Sequence, residues 1–292
     1  MYDFASYTEA ADIHEAVGLL CANPNARIIA GGTDVLIKLR SRDEAFVGRD
    51  FVGVTRIPGM TDIRLCDDGT IVIGAAASFA KIEGDAVIAQ HLPSLAQAAG
   101  SVGGPQIRNM GTVGGNLANG ATSADTASML LACDATLVIA GAQGDTEVPL
   151  AGFHQGPGRV KLEHGQILKE IRVAKAGYEG YKGGYIKFAV RRAMDIATLG
   201  CAVMIKMDGD RIEDLRIAFG VAGPVPLRAA SAEAYAKGQT LCDEVLEQIG
   251  RKCLEDTNAR DSWRAAKAFR QQLISVLPGR AVRKALGGDG DA

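Results

Sequence analysis

The spacing of apolar positions divides the first 55 residues into short strands and helices. Thr8, followed by apolar residues at positions 13, 16, 17 and 20, predicts a capped amphipathic helix that ends before Pro24. The apolar run Ile28–Ala30 predicts a buried strand, Asp34–Leu39 predicts the opening of a helix, and Asp50–Val54 predicts another strand. We therefore expect a small strand-and-helix unit over residues 1–55.

Residues 56–176 carry a second set of periodic segments. The turn sequence Asp67-Asp68-Gly69 separates the apolar runs Ile63–Cys66 and Thr70–Gly74, which indicates a β-hairpin. Further helices are predicted at Ser78–Ile88, Ser94–Val102 and Asp125–Ala132, and further strands at Thr136–Ala140, Glu147–Leu150 and Ile167–Val173. The glycine- and lysine-rich segment Ala174–Gly184 is the predicted linker.

After this linker the strands become longer. Strands are predicted at Tyr185–Val190, Leu199–Met207 and Ile212–Val221, and helices at Ser231–Lys237, Cys242–Leu254 and Ser262–Leu277. Three strands followed by helices indicate the α+β class. We predict a first domain over 1–176, made of two α/β subdomains (1–55 and 56–176). A C-terminal domain over 177–286, a three-stranded antiparallel sheet with helices, and a tail over 287–292 would follow.

Composition and charge exclude several classes of protein. With 47% hydrophobic and 23% charged residues, the 292-residue chain is typical of a soluble globular protein. The net charge of −2 argues against a nucleic-acid-binding protein. We find no apolar run that could span a membrane and no secretory signal, so we expect a cytoplasmic location. The six scattered cysteines and four isolated histidines predict neither disulfides nor a metal site, and no catalytic residue is predicted.

Two glycine-rich segments are the strongest chemical signal. In Arg27–Arg40, Gly31 and Gly32 lie between a predicted strand and a predicted helix, so backbone N–H groups would face an anion. The predicted loop 111–125 carries four further glycines among small polar residues. It matches neither a Walker loop nor a dinucleotide fingerprint. Two such segments indicate a nucleotide cofactor.

Two charged residues, Asp125 and Lys187, have two interpretations each. Asp125 stands at the head of a predicted helix, where it could cap that helix or accept hydrogen bonds from a ribose diol. Lys187 follows the linker, where it could face the first domain or belong to a solvated strand edge. Nothing in the sequence indicates conventional acid–base catalysis, which fits a protein whose chemistry belongs to a bound cofactor.

Together these segments resemble one family. Ala30-Gly-Gly-Thr33, Thr112-Val-Gly-Gly-Asn116 with Asp125, and Lys187 followed by Arg191-Arg-Ala-Met-Asp-Ile196 resemble the FAD-binding subunits of the molybdenum hydroxylases, with a para-cresol methylhydroxylase (PCMH)-type FAD fold. The resemblance covers about residues 2–286. Gly104–Asn109, Gly120–Asp125 and Gly152–Gly158 are most similar to the FAD subunits of bacterial xanthine dehydrogenases.

The resemblance implies a set of cofactor-binding residues. Arg27–Asp34 and Thr112–Asn116 would hold the FAD pyrophosphate through backbone N–H groups and short side chains, and Asp125 would bind ribose hydroxyls. Val102 and Gly103 would lie near the cofactor, and Leu168 and Lys187 would line the flavin side. The full set is Arg27, Ile28, Ile29, Ala30, Gly31, Gly32, Thr33, Asp34, Val102, Gly103, Thr112, Val113, Gly114, Gly115, Asn116, Asp125, Ile167, Leu168 and Lys187.

The resemblance also implies an electron relay. A molybdopterin subunit would oxidise the substrate, an iron–sulfur subunit with [2Fe-2S] centres would pass electrons to non-covalent FAD on this chain, and NAD⁺ or another acceptor would take them. Xanthine dehydrogenase is the main expectation. Flavin subunits of carbon monoxide, aldehyde or nicotinate dehydrogenases are alternatives. A non-enzymatic nucleotide-binding regulatory module and a self-contained flavin oxidoreductase are alternatives of other classes.

The C-terminal region is basic. Arg251–Lys284 contains nine Lys or Arg against three Asp or Glu. Helical spacing predicts a basic face with Arg264, Lys267 and Arg270. That face is either a solvated surface or a docking site for a partner subunit with an acidic surface.

Overall fold

A computed structural model describes residues 2–288, and its first layer is a parallel three-stranded sheet. The elements are β1 (Ser6–Glu9), α1 (Ile13–Ala22), β2 (Ala26–Ile29), α2 (Val35–Arg40) and β3 (Asp50–Gly53), with strand order β1-β3-β2. The prediction that Thr8 caps the first helix is wrong, because Thr8 pairs with Val52 in the sheet. Asp12 caps α1 instead, and its carboxylate accepts a hydrogen bond from the Glu15 N–H at 2.8 Å.

The second layer is a five-stranded sheet with helices, in the order β4-β5-β10-β6-β7. Its strands are β4 (Ile63–Leu65), β5 (Ile71–Gly74), β6 (Thr136–Gly141), β7 (Gly144–Pro149) and β10 (Ile167–Val173), with a small hairpin of β8 (His154–Gly156) and β9 (Arg159–Val160). The predicted hairpin is confirmed, because β4 and β5 pair antiparallel with Ile63 opposite Ile73.

The helices of this layer differ most from prediction. They are α3 (Phe79–Gly84), α4 (Ala86–His91), α5 (Pro93–Gly100), α6 (Pro105–Met110), α7 (Val113–Ala118) and α8 (Asp125–Ala132). The single predicted helix Ser78–Ile88 is interrupted at Asp85, whose carboxylate accepts from the Val87 N–H at 2.9 Å and starts α4. The predicted loop 111–125 contains α7, because Thr112 caps a helix there despite the glycines.

The C-terminal layer is an antiparallel sheet covered by helices. Its strands are β11 (Lys182–Phe188), β12 (Leu199–Asp208), β13 (Arg211–Gly220) and the short β14 (Leu227–Arg228), in that order across the sheet. Its helices are α9 (Ala230–Ala236), α10 (Asp243–Cys253) and α11 (Lys267–Ala285). The three predicted strands are confirmed, and β14 is an addition. The predicted linker already contains the start of β11, preceded by a 3₁₀ turn at Lys175–Gly177.

The last helix begins and ends later than predicted. Ser262 lies in a turn closed on Ala265, and the Asp261 carboxylate accepts from the Lys267 N–H at 2.7 Å at the start of α11. The helix continues through Pro278 to Ala285. Arg270 is 2% exposed, so its place on an exposed basic face is wrong. Of the predicted tail 287–292, residues 289–292 lie outside the described residues.

Helix α8 joins the two halves of the molecule. All eight of its residues are buried, and it packs against α5 on one side and against β12 and β13 on the other. Alternation along β12 explains this, since Ala202 and Met204 belong to the main core while Leu199, Cys201, Val203 and Ile205 belong to the core under the C-terminal helices. In residues 2–288, we find no helix with the length and apolar character needed to cross a membrane.

Candidate functional site

The first glycine segment forms a tight turn whose backbone donors are unpaired. Gly32 has φ +69°, which places it in the left-handed region that favours glycine. Gly31 lies against the second segment, where a Cβ would come within 1.7 Å of the Met110 carbonyl oxygen. Among the described residues, no protein acceptor takes a hydrogen bond from the backbone N–H groups of Gly31–Asp34. These four donors are available to an anion.

Most backbone donors of the second glycine segment have acceptors within the protein. The N–H of Val113 donates to Ala77 at 3.0 Å, that of Gly114 to Ala75 at 2.8 Å, and that of Asn116 to Thr112 at 2.9 Å. The N–H of Gly115 donates to the Thr112 hydroxyl at 3.1 Å. Within Thr112–Asn116, four of the five backbone N–H groups are therefore already paired, and among the described residues no protein acceptor takes a hydrogen bond from the N–H of Thr112.

Gly115 nevertheless leaves an open face. A Cβ there would meet only the Thr112 hydroxyl oxygen within 4 Å, whereas a Cβ at Gly114 would come within 2.5 Å of the Ala75 side chain. Gly114 is required for packing of α7 against the chain at Ala75. Gly115 instead lets a ligand approach the main chain.

Lys38 connects the two glycine segments. Its ammonium lies 2.8 Å from the Asp34 carboxylate, one helical turn earlier, and donates to the Asn119 side-chain oxygen at 2.9 Å. The same ammonium stands 4.7 Å from the centre of the Phe46 ring. The ammonium of the Lys38–Asp34 ion pair therefore lies between the unpaired donors of the first segment and helix α7.

A buried ion pair forms the other half of the site. Asp125 is 7% exposed and lies 2.9 Å from the Lys187 ammonium, while the Tyr185 hydroxyl donates to its other oxygen at 2.7 Å. Lys187 also donates to the Ser101 carbonyl at 2.9 Å. Burial raises the pKa of the Asp125 carboxyl, and the Lys187 ammonium and Tyr185 hydroxyl oppose this rise.

These contacts decide between the two interpretations that the sequence left open for Asp125 and for Lys187. The side chain of Asp125 makes no capping hydrogen bond, so the cap interpretation is wrong. Lys187 is buried against Asp125 and Ser101 instead of standing at a solvated edge. The Asp125 carboxylate has about four lone-pair sites, so two partners leave room for hydroxyl donors from a ligand.

A cleft of about 350 Å³ opens beside this pair. Gly103 and Lys187 line it, as do residues that the sequence analysis did not assign: Gly100, Ser101, Arg108, Ala189, Val190, Arg191, Arg192, Ala193, Met194 and Asp195. Gly103 has φ +51°, which turns the chain into α6. The cleft wall is strongly basic.

The remaining predicted residues are spread along the site or lie in the core. Arg27, Ile28 and Ile29 are on β2, and Ala30 and Thr33 flank the glycine turn. Val102 is half-buried beside Ser101. Ile167 and Leu168 are 1% and 5% exposed on β10, which packs against α7, so the structure does not bring them to the cleft.

A hydrogen bond between α7 and α8 connects the glycine segments with the Asp125–Lys187 pair. The Thr126 hydroxyl donates to the Asn116 side-chain oxygen at 2.7 Å, next to Asp125. Sequence reasoning missed Lys38, Asn119 and Tyr185. Two of them had a signal, since Lys38 is four residues after Asp34 on a helix and Tyr185 is two residues before Lys187 on one strand face.

The arrangement fits an elongated nucleotide with phosphates. The unpaired N–H groups of Gly31–Asp34 suit an anion, and the open face of Gly115 lets a ligand come close to the main chain. The Asp125 carboxylate suits a diol. The basic cleft beside Lys187 lies at the far end. The geometry of the site therefore agrees with the expectation that the chain binds FAD.

Comparisons with known proteins point to the same ligand. A family model described as the FAD binding domain in molybdopterin dehydrogenase matches residues 2–175, and one described as the CO dehydrogenase flavoprotein C-terminal domain matches residues 184–285. The chain is 42% identical over 290 residues to the xanthine dehydrogenase FAD-binding subunit of Escherichia coli, covering 99% of each.

More distant relatives share the whole length. The glyceraldehyde dehydrogenase medium chain of Sulfolobus acidocaldarius is 29% identical over 280 residues, covering 96% of this chain and 97% of the relative. A solved structure of carbon monoxide dehydrogenase from Hydrogenophaga pseudoflava superimposes with a TM-score of 0.92 at 29% identity, covering 98% of each chain.

Proposed function

Because the chain belongs to the family of FAD-binding subunits of molybdopterin dehydrogenases, we propose that it holds one non-covalent FAD and relays electrons within a xanthine dehydrogenase. The observation that carries the proposal is the run of unpaired N–H groups over Gly31–Asp34, joined through Lys38 and α7 to the Asp125–Lys187 pair. The 42% identity to the Escherichia coli subunit supports the choice of xanthine.

Each part of the site has a proposed role toward FAD. The N–H groups of Gly31–Asp34 bind the pyrophosphate, beside the ammonium of the Lys38–Asp34 ion pair. Asp125 accepts hydrogen bonds from ribose hydroxyls, and Tyr185 and Lys187 fix the direction of its two oxygens. Lys187 stands at the entrance of the basic cleft, on the proposed flavin side. Bound FAD supplies the ability to accept single electrons and donate a hydride.

We also propose the partners and the acceptor. Electrons arrive from the [2Fe-2S] centres of an iron–sulfur subunit, which receives them from a molybdopterin subunit, and NAD⁺ takes them from this chain. The proposed domains are 1–176 and 177–286. A cytoplasmic location accords with cysteines that are unpaired thiols, among them Cys201 and Cys253.

The flavin content of the purified chain tests the first part of the proposal. We expect about one FAD per chain, released into the supernatant by acid precipitation, because neither glycine segment has a histidine or cysteine to form a covalent link. A colourless protein that ignores added FAD would favour the nucleotide-binding regulatory module. Flavin retained in the pellet would contradict non-covalent binding.

Substrate-dependent NAD⁺ reduction by the complete complex tests the second part. We expect xanthine to support turnover, and carbon monoxide, aldehydes and nicotinate to support little. The isolated chain serves as the control. Substrate oxidation by that chain alone would instead identify a self-contained flavin oxidoreductase.

A further inference from the structure

Helix α8 begins with two neighbouring polar side chains that are both buried. Asp125 reaches Lys187 and Tyr185 of the C-terminal sheet. Thr126 is fully buried, and its hydroxyl reaches a different element, since it donates to the Asn116 side-chain oxygen on α7 at 2.7 Å. A buried hydroxyl is costly unless it is hydrogen-bonded, so this contact is a specific feature of the start of the helix.

The Thr126 hydroxyl does not bond within its own chain segment. A threonine in a helix commonly donates to the carbonyl four residues earlier, which here belongs to Thr122. That carbonyl accepts instead from the N–H of Val221, directly after β13, at 3.0 Å. Among the described residues, the Asn116 side chain is therefore the one acceptor for the Thr126 hydroxyl proton.

This contact fixes which end of the Asn116 amide faces Thr126. The amide oxygen only accepts hydrogen bonds and the NH₂ only donates them, and rotation of the amide exchanges the two ends. If the NH₂ faced Thr126, the hydroxyl could accept from it, but the buried hydroxyl proton would then lack an acceptor. The Asn116 oxygen therefore faces Thr126, and the NH₂ faces away from it.

The Asn116 NH₂ is left free beside the candidate FAD site. Among the described residues, no protein acceptor takes a hydrogen bond from this nitrogen, and it is not buried. The Asn116 side chain connects the helix that carries the open face of Gly115 with the helix that begins at Asp125. The start of α8 thus supplies an acceptor, the Asp125 carboxylate, and fixes a donor, the Asn116 NH₂.

We propose that Thr126 is a positioning residue for FAD, whose hydroxyl holds the Asn116 amide so that the NH₂ donates to an acceptor oxygen of the cofactor. Thr126 acts through Asn116 and does not itself touch the cofactor. Without the hydroxyl, the amide can rotate and present its oxygen to the cofactor oxygen, which repels it. The inference rests on the proposed function, because it requires FAD in the site.

Titration of the FAD-free chain with FAD, followed by flavin fluorescence, tests the role of Thr126. We expect Thr126→Val, which keeps the branched shape but lacks the donor, to weaken FAD binding about fivefold. Thr126→Ser keeps the hydroxyl and should restore most of the wild-type affinity. The matched control is Ser128→Ala, because the buried Ser128 hydroxyl donates to the Asp125 carbonyl of its own helix and does not bond to α7.

A double-mutant cycle separates the orientation of Asn116 from the packing of α8. We expect Asn116→Ala to weaken FAD binding by itself. Thr126→Val should add no further loss to the Asn116→Ala chain, because no amide is left to orient. If Thr126→Val weakens FAD binding equally with and without the Asn116 side chain, it acts by displacing α8, and the proposal is overturned.

Asn116→Asp tests the proposal with Thr126 intact. Its carboxylate accepts from the Thr126 hydroxyl in either orientation but presents an oxygen without a proton to the cofactor. We expect FAD affinity at least as low as that of Asn116→Ala, and wild-type affinity overturns the proposal even if Thr126→Val fails to fold. A colourless wild-type protein that ignores added FAD would instead contradict the proposed function.

Discussion

Gly31 and Gly115 both lie in glycine-rich segments, but a methyl group would meet different surroundings at the two positions. At Gly31 the methyl group would strike the Met110 carbonyl, and at Gly115 it would meet only the capping hydroxyl of Thr112. The first glycine therefore belongs to the packing of the two segments against each other. The second belongs to the open face on which FAD is proposed to lie.

This difference predicts opposite responses to substitution. We expect Gly31→Ala to destabilise the fold by about 1–3 kcal/mol through backbone overpacking. Gly115→Val should cost about 1 kcal/mol through the disturbed cap but lower FAD affinity at least tenfold. Urea unfolding and flavin fluorescence titration measure the two effects. The control is Gly18→Ala, inside α1 and facing open space, which should keep FAD affinity and stabilise slightly. Unchanged FAD affinity in Gly115→Val would place the cofactor elsewhere.

The Asp125–Lys187 pair predicts a pH-dependent loss of stability. Burial raises the pKa of the Asp125 carboxyl and Lys187 opposes the rise, so Lys187→Met leaves that pKa higher still. When the pKa of a carboxyl is higher in the folded protein than in the unfolded chain, where it is about 3.9, the free energy of unfolding falls as the pH rises. The fall extends from the unfolded pKa to the folded pKa. FAD-free Lys187→Met should therefore lose about 3–5 kcal/mol at pH 8 and clearly less at pH 5.

A second variant isolates the carboxylate as the cause. Asp125→Asn combined with Lys187→Met has no titrating carboxyl at this position, so its free energy of unfolding should lack the additional loss between pH 5 and pH 8 that Lys187→Met shows. Urea unfolding at several pH values measures both variants. If Lys187→Met loses the same stability at pH 5 and pH 8, the lysine acts through packing and not through the charge of Asp125.

At the scale of elements, Arg270 fixes the start of α11 against two other segments. Its guanidinium donates to Thr198, Arg260 and Ser262, and no single lysine ammonium can reproduce that planar fork. We expect Arg270→Met to lower the free energy of unfolding by about 3 kcal/mol, through buried carbonyl groups left without a donor. Arg270→Lys should recover part of that loss. Exposed Arg251→Met on α10 is the control, and equal stability of all variants would contradict the role.

Regular apolar patterns predicted the strands well. The helix predictions were less accurate, because local capping residues decide where helices begin. β12 is a continuous apolar run because it is buried on both faces, and the three predicted C-terminal strands were confirmed. α7 was missed because glycines disfavour a helix unless a cap such as Thr112 supports it. α11 was cut at Pro278 because a proline normally ends a helix, but packing of α11 on β11 and β12 overrides that preference.

The site was predictable where local chemistry shows in sequence and not where folding brings distant residues together. Resemblance identified Asp125 and Lys187, but their 2.9 Å contact joins residues 62 positions apart. The unpaired donors of Gly31–Asp34 and the paired donors of the second segment look alike in sequence. The two segments differ because the carbonyls of Ala75 and Ala77, from a separate turn, and the capping residue Thr112 accept hydrogen bonds from the second segment.

At the scale of the whole molecule, the two proposed domains share one core. Every residue of α8 is buried, and Ala202, Met204 and Ala218 of the C-terminal sheet belong to the core of the first domain. Tyr185 and Lys187 cross the same boundary to reach Asp125. Neither 1–176 nor 177–286 can separate without exposing this shared surface, so we expect them to unfold together.

Scanning calorimetry tests this cooperativity and the phosphate site at once. We expect one transition in FAD-free protein, with equal calorimetric and van't Hoff enthalpies. FAD at a hundredfold excess over its Kd should stabilise the folded state by about 2.7 kcal/mol and shift the whole transition by about 4 °C for a chain of this length. Riboflavin is the matched control, because it has no phosphate for the N–H groups of Gly31–Asp34 and should shift the transition little. Two transitions, of which FAD moves only one, would show that the C-terminal domain folds independently and that its lysine and tyrosine are not coupled to the cofactor.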